Sequence, residues 1–165
     1  EAIRTFIPPK ATSQNLKQIL NQLSAIVPSG KTNTASALNI VAERIKRRGL
    51  IIILSDLFDD QKAVINALKH FRHKKNEVIV FQVLDPLEMS FAIDSPTIFK
   101  DMETSKEMLS QPISVMNSYQ DAVKEFIDTY KTACLSNNID YVLLSTETPF
   151  DSALLEYLNK RRRLN

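Results

Sequence analysis

"RRGLIIILSDLFDD", residues 47 to 60, decides the reading of the fold. Leu50 to Leu54 are five unbroken aliphatics, and they run directly into Ser55 and Asp56, so a carboxylate stands where a hydrophobic strand meets water. A strand that is apolar at every position needs cover on both faces, which is the habit of a central parallel strand rather than a half-solvated hairpin. The flanking patterns agree. Upstream, Leu38, Val41, Ala42 and Ile45 fall on one face of an expected helix, with Gly49 past its end as a C-cap. Downstream, Val64, Ala67, Leu68 and Phe71 make another helical stripe, and Val78 to Leu84 another strand. This α-β-α-β alternation predicts an open α/β sheet.

The outer segments extend the pattern. Ala2 to Ile7 reads as a short strand closed by Pro8 and Pro9. Leu16, Ile19, Leu20, Leu23, Ile26 and Val27 recur at helical spacing until Pro28, Ser29 and Gly30 stop them. Residues 85 to 104 lack helical period and hold two prolines, so an excursion with a small hairpin around Phe91 and Phe99 is expected. A long helix follows with Tyr119, Val123, Phe126, Ile127, Tyr130 and Cys134 on one side, and Tyr141 to Leu144 supply the last strand. Thr148 reads as the N-cap of a final helix, with Pro149 at its first position and Leu154, Tyr157 and Leu158 facing inward.

Composition sets the outer limits. A chain of 165 residues with 44% hydrophobic and 24% charged content suits one ordinary folded domain over residues 1 to 165. Twenty-one basic residues against nineteen acidic give +2, too balanced to point to nucleic acid or an anionic membrane. Cys134 is the single cysteine and the chain opens without a signal-like segment, which together favour a reducing, cytoplasmic setting. No apolar run reaches the roughly eighteen residues of a membrane span.

Ligands of open parallel sheets bind beyond the carboxyl ends of the strands, and Asp56 is at such an end. It reads equally as a turn residue or a cap before the helix that starts near Asp59 or Asp60. The "GKTNTASAL" loop, residues 30 to 38, offers Thr32 and Thr34 just before a helix, where either one serves as an N-cap. His70 and His73 lack an acidic or cysteine partner at zinc spacing and read as solvent-facing. Cys134 lies on an apolar helix side and reads as core. "KRRR" at 160 to 163 reads as a basic helix end.

The pairing of "GKTNTASAL" with "LIIILSD" resembles the von Willebrand factor A-like superfamily. Its metal-ion-dependent adhesion site takes a threonine from a Gly-x-Thr loop and an aspartate after the following hydrophobic strand, positions occupied by Thr32 and Asp56. Over the whole chain, "FIPPK", "GKTNTASAL", "RRGLIIILSDLFDD", "EVIVFQVLDPLEMSF", "FKDMET" and "TPFDSALLEYLNKRRR" resemble, in order, the bacterial domain of unknown function 58 family. The fold so implied is a three-layer, Rossmann-like, mainly parallel sheet. The implied chemistry is a divalent cation such as magnesium, held by hydroxyl and carboxylate oxygens and open to a partner's carboxylate. No catalytic residue is implied. Members of the family are commonly encoded beside MoxR-type AAA+ ATPases, which implies an adaptor role.

One departure bears on all of this. The superfamily's Asp-x-Ser-x-Ser motif is absent, because no aspartate here has serine or threonine two positions later, and the resemblance implies a chain truncated at its N-terminus. Thr32 and Asp56 then supply only two ligands, and no tightly held metal is expected. A strand lost from beside Leu50 to Leu54 would leave an apolar edge, for which self-association is the expected remedy.

A different class of reading is a phosphoryl-accepting receiver domain, with Asp56 as acceptor and Ser145 or Thr146 as sensor. It needs an acidic cluster near an earlier strand, and only Glu1 lies in the first forty-two residues. A nucleotide-binding enzyme is disfavoured because Gly30 and Gly49 alone assemble neither a Walker loop nor a dinucleotide fingerprint.

Overall fold

A computed structural model of the chain describes residues 5–27, 33–90, 97–100, 107–110 and 112–164. The elements follow one another as α1 (Ser13–Ser24), α2 (Thr34–Arg44), β1 (Leu50–Ser55), α3 (Gln61–His73), β2 (Glu77–Leu84), α4 (Pro86–Ser90), β3 (Thr97–Lys100), β4 (Glu107–Ser110), α5 (Pro112–Ser136), β5 (Asp140–Ser145) and α6 (Phe150–Leu164). Three strands form a parallel sheet of order β1-β2-β5, and β3 and β4 pair antiparallel as a separate hairpin. The expected open α/β sheet is therefore present. Of the expected hairpin residues, Phe99 lies in β3 and Phe91 falls outside the described residues.

The period of each element explains which face it buries. Ile51 and Ile53 of β1 and Val78 and Val80 of β2 point to one side, where they meet Ala42 of α2, Val64, Leu68 and Phe71 of α3, and Tyr130 and Cys134 of α5. On the other side Ile79 and Phe81 lie under Tyr157 of α6, whose ring meets Phe81 edge-on at 5.6 Å. The helices thus form layers on both sides of β2.

It is β2, not β1, that is covered on both faces. The register sets Ile52 beside Ile79 and Leu54 beside Phe81, yet Leu50, Ile52 and Leu54 remain 48%, 50% and 69% exposed. This corrects the expectation that β1 is central. Five aliphatics in a row demand two covers, but position in the sheet decides whether they receive them, and β1 is an edge strand among the described residues. In α1 the apolar stripe is formed as expected, but it too stays exposed, and Asn15 is the helix's buried residue.

Several ends differ from expectation. Asn33, rather than Thr32 or Thr34, caps α2, its Oδ1 accepting from the Ser36 N–H at 2.8 Å. Gly49 is no helix cap, because α2 stops at Arg44 and Ile45 leaves in extended backbone. Gly49 instead opens β1, donating to Asn76 Oδ1 at 3.0 Å. Residues 5–7 form no strand, and residues 1–4 fall outside the described residues. In α6, Tyr157 is buried as expected, while Leu154 and Leu158 are about half exposed.

Candidate functional site

The rim at the carboxyl ends of β1, β2 and β5 is built from the turn that follows β1. Ser55 Oγ accepts from the Leu57 N–H at 3.1 Å, and Asp56 Oδ1 accepts from the Phe58 N–H at 3.2 Å. These short side-chain bonds to the backbone two residues on are why serine and aspartate suit the bend. Leu57 takes a φ of 62°, a left-handed conformation that costs a branched side chain energy, and it is held there by complete burial of that side chain. Its carbonyl accepts from the Tyr130 hydroxyl at 3.1 Å. Phe58 stacks on Phe126 of α5 with 5.2 Å between ring centres.

Gln82 fixes the backbone of Asp56 from below. It is fully buried in β2, donates from Nε2 to the Asp56 carbonyl at 3.0 Å, and accepts at Oε1 from the Tyr141 hydroxyl at 2.5 Å. Sequence reasoning missed it. A lone amide inside "EVIVFQVL" was the available signal, since a glutamine among aliphatics is stable only when its hydrogen bonds are met.

The three carboxylates of the turn divide the work. Asp60 caps α3 through the Ala63 N–H at 2.8 Å. Asp59 reaches back to the start of α2, its Oδ2 lying 2.6 Å from the Thr34 nitrogen and 3.4 Å from that of Ala35, while Oδ1 accepts from its own neighbour Asp60 at 2.7 Å. Burial raises the pKa of Asp59, but the N–H groups of Asp60, Thr34 and Ala35 and the Thr34 side chain together lower it below the usual carboxylate value. Asp56 is left facing outward, exposed, and its Oδ2 accepts no hydrogen bond among those described.

Of the two sequence-predicted ligands, Asp56 is thus at the rim, and Thr32 lies outside the described residues. What is described beside it is Thr34, joined to the Asp56 turn through Asp59. Among the described residues no group of three or more His, Cys, Asp or Glu side chains gathers as a metal site. The donor set present fits one corner of an oxygen site for a hard cation, namely the exposed Asp56 carboxylate, since Asp59 and Asp60 already accept from backbone N–H groups.

The remaining candidates are dispersed. Ser145 and Thr146 end β5, with β2 between them and β1, so about 9.5 Å of sheet separates them from Asp56. The Thr146 hydroxyl bonds Asp85 at 3.0 Å. His70 Nδ1 lies 3.4 Å from Asn39 Oδ1, and His73 is exposed. Cys134 is buried, and burial pushes its thiol up to about 12. Of the basic run ending α6, Arg162 is described and exposed. A cavity of ≈ 460 Å³ lies along β5 between α5 and α6, lined in part by Asp128, Lys131, Ser145 and Ser152, on the far side of β2 from Asp56. No described helix is long and apolar enough to cross a membrane.

No curated protein and no solved structure is significantly similar to the chain. A family model does match, over residues 1–125, and its description is "Protein of unknown function DUF58". The matched span contains α2, β1, the Asp56 turn, α3 and β2, and so the whole β1 rim with the loop that Asp59 ties to it. The chain belongs to the DUF58 family.

Proposed function

We propose that the chain is a non-catalytic protein-interaction module of the von Willebrand A-like kind, which meets a protein partner at the rim where Asp56 stands. The observation that supports this most is the 2.6 Å bond from the Thr34 N–H to Asp59, which ties the start of α2 to the turn after β1. In this reading Thr32 and Asp56 are two oxygen ligands of a partial metal-ion-dependent adhesion site. A divalent cation such as magnesium, when bound, supplies an electrophilic position for a carboxylate of the partner. Two ligands are few for a strongly hydrated ion, so binding is weak and no tightly held metal is implied.

The chain's own residues set up the surface. Gln82 holds the Asp56 backbone, Asp59 and Asp60 bind N–H groups, and the Asp56 carboxylate is what the turn presents to solvent. The non-catalytic reading is supported by Cys134, whose burial and raised pKa suit core packing rather than nucleophilic attack. From the family resemblance, the partner is a MoxR-type AAA+ ATPase and the module its cytoplasmic adaptor.

The test is calorimetric titration of the chain with a purified MoxR-type ATPase from the same genome, with magnesium and with a chelator. Binding that weakens in chelator and in Asp56→Ala supports the reading. Failure of the wild-type chain to bind with magnesium present overturns the adaptor role, and binding indifferent to both magnesium and Asp56 overturns the adhesion site.

A further inference from the structure

The formal charge of +2 is a sum over two ends of unlike sign. The strands of the sheet are parallel, so each helix-to-strand connection lies at one end and each strand-to-helix connection at the other. The carboxyl end carries Asp56, Asp59, Asp60, Asp85, Glu88 and Asp151, with Lys62 against them. The amino end is the reverse. There the connection from α2 to β1 contains Lys46, Arg47 and Arg48, and the passage from α3 into β2 contains Arg72, Lys74 and Lys75. Glu43, Glu77 and Asp140 oppose them, Asp140 accepting from the Tyr157 hydroxyl at 2.9 Å.

That bond also places the end of α6. The helix starts at Phe150, beyond the carboxyl end of β5, and by Tyr157 it has returned to the first residue of that strand. Leu158 to Leu164, about 10 Å of helix, therefore run on beyond the amino end of the sheet. They take the basic run of 160 to 163 to the same end, and Arg162 there is exposed.

Cations commonly stand at helix C-termini, where they offset the negative end of the dipole. Some here serve local ends of that kind. Lys74 Nζ donates to the Ala42 carbonyl at 2.6 Å, Arg72 donates to the carbonyls of Asn76 and Asn137 at 2.6 and 3.3 Å, and the Arg44 guanidinium lies over the Phe6 ring. Lys46, Arg47, Arg48 and Lys75 differ. All four are exposed, and among the described residues their side chains make no hydrogen bond or ion pair. The bond from the Glu77 N–H to the Gly49 carbonyl, 3.0 Å, lays the 46–48 loop beside the turn at Lys75, so like charges are held together at a cost.

We propose that this basic end is a docking surface for an anionic lipid leaflet, which it meets by charge and without insertion. The segments 46–48, 72–75 and 158–164 contain no Phe, Tyr or Trp, so they offer no platform on which bases could stack. They are two connections and a helix end, and none lies flat as an element reading a DNA groove does. A leaflet requires only several cations on one side, each strengthening attachment about fivefold. Arg48 and Asp56 bracket β1 and stand about 25 Å apart along extended chain. At about 0.15 M salt the screening length is about 8 Å, so a leaflet acts on the basic end and hardly feels the acidic one. The Asp56 rim then faces away from the lipid, open to a protein partner.

The proposal goes beyond the adhesion reading and needs neither cation nor partner protein, so its test is run on the full chain alone in chelator. Binding is measured by co-flotation with vesicles of phosphatidylcholine mixed with phosphatidylglycerol, and with vesicles of phosphatidylcholine alone. Attachment to the anionic vesicles only is expected, and it should be lost as salt rises from about 0.1 M to about 1 M. Arg47→Gln with Arg48→Gln should weaken it about twenty-fivefold, and Lys75→Gln about fivefold. Lys62→Gln with Lys124→Gln removes two charges elsewhere, and the change should stay below about twofold because distant charges are screened. In the wild-type chain, acetylation of Lys46 and Lys75 should slow when anionic vesicles are present while that of Lys62 and Lys124 does not, a readout that requires no variant to fold. Failure to float with the anionic vesicles overturns the proposal. Equal weakening by the two charge-matched pairs of substitutions also overturns it, since net charge would then be the cause. Binding to a DNA duplex without binding to the vesicles gives the basic end to nucleic acid and overturns the lipid assignment.

Discussion

Replacing Asp59 by asparagine keeps the shape of the side chain and removes its charge. In the folded chain that carboxylate accepts from the N–H groups of Thr34, Ala35 and Asp60. Burial raises its pKa, the hydrogen bonds lower it by more, and the result lies below the ordinary 3.8. A pKa depressed by folding contributes stability that is complete above the unfolded value and is lost as pH falls through the folded one. Hydrogen bonds to a charged group contribute about 1.5–3 kcal/mol when well buried, but Asp59 is partly open to water, so the helix-cap range of about 0.5–2 kcal/mol is the better guide. Taking about 1 kcal/mol, Asp59→Asn should lower Tm at pH 7 by roughly 2–4 °C in a chain of this size. The assay is paired thermal and urea melting of both proteins at pH 7 and at about pH 2.5, with amide exchange at Thr34 and Ala35. The gap between the two proteins should close on acidification, and those two amides should exchange faster in the variant at pH 7. An equal gap at both pH values would refute the ionic clamp.

Gln82→Leu nearly preserves volume but leaves the Asp56 carbonyl and the Tyr141 hydroxyl without their partner, and should cost about 1–3 kcal/mol in urea melts with an unchanged m-value. Leu57→Gly relieves a left-handed φ that costs about 1–2 kcal/mol, yet empties a fully buried site for which loss of a leucine side chain costs about 2–5 kcal/mol, so denaturant midpoints should fall rather than rise. Tyr130→Phe removes the hydroxyl bonded to the Leu57 carbonyl, and a loss of about 1 kcal/mol in the same assay is expected. Cys134 should resist iodoacetamide at pH 8 in the native protein and react once urea unfolds it, because both burial and a pKa near 12 withhold the thiolate.

Much of the fold was legible because periodicity reports burial directly. Val64, Ala67, Leu68 and Phe71 are spaced for one helix face, and all four are buried. Val123, Tyr130 and Cys134 likewise occupy the inner side of α5. Asp56 was readable as a turn residue or a cap, and the structure keeps the first role, through the Phe58 N–H, and gives the cap to Asp60. The site was legible only in part. That Asp56 ends a strand follows from the apolar run before it, but nothing local distinguishes Asp56, Asp59 and Asp60. Their separate duties depend on Thr34, twenty-five residues before Asp59 in the chain, and on Gln82 in the neighbouring strand. Contacts at that separation leave no period in the sequence.

That Leu50 to Leu54 form a strand, that helices precede and follow it, and that a carboxylate stands at its end are all readable from neighbours within a few residues. Long-range packing settled the rest: β2 rather than β1 receives cover on both faces, Asn33 rather than a threonine caps α2, and Asp59 rather than Asp56 is the carboxylate bound to that helix. The reason is geometric. An apolar run states how much cover a strand requires, while the cover it obtains depends on which strands and helices arrive beside it in space.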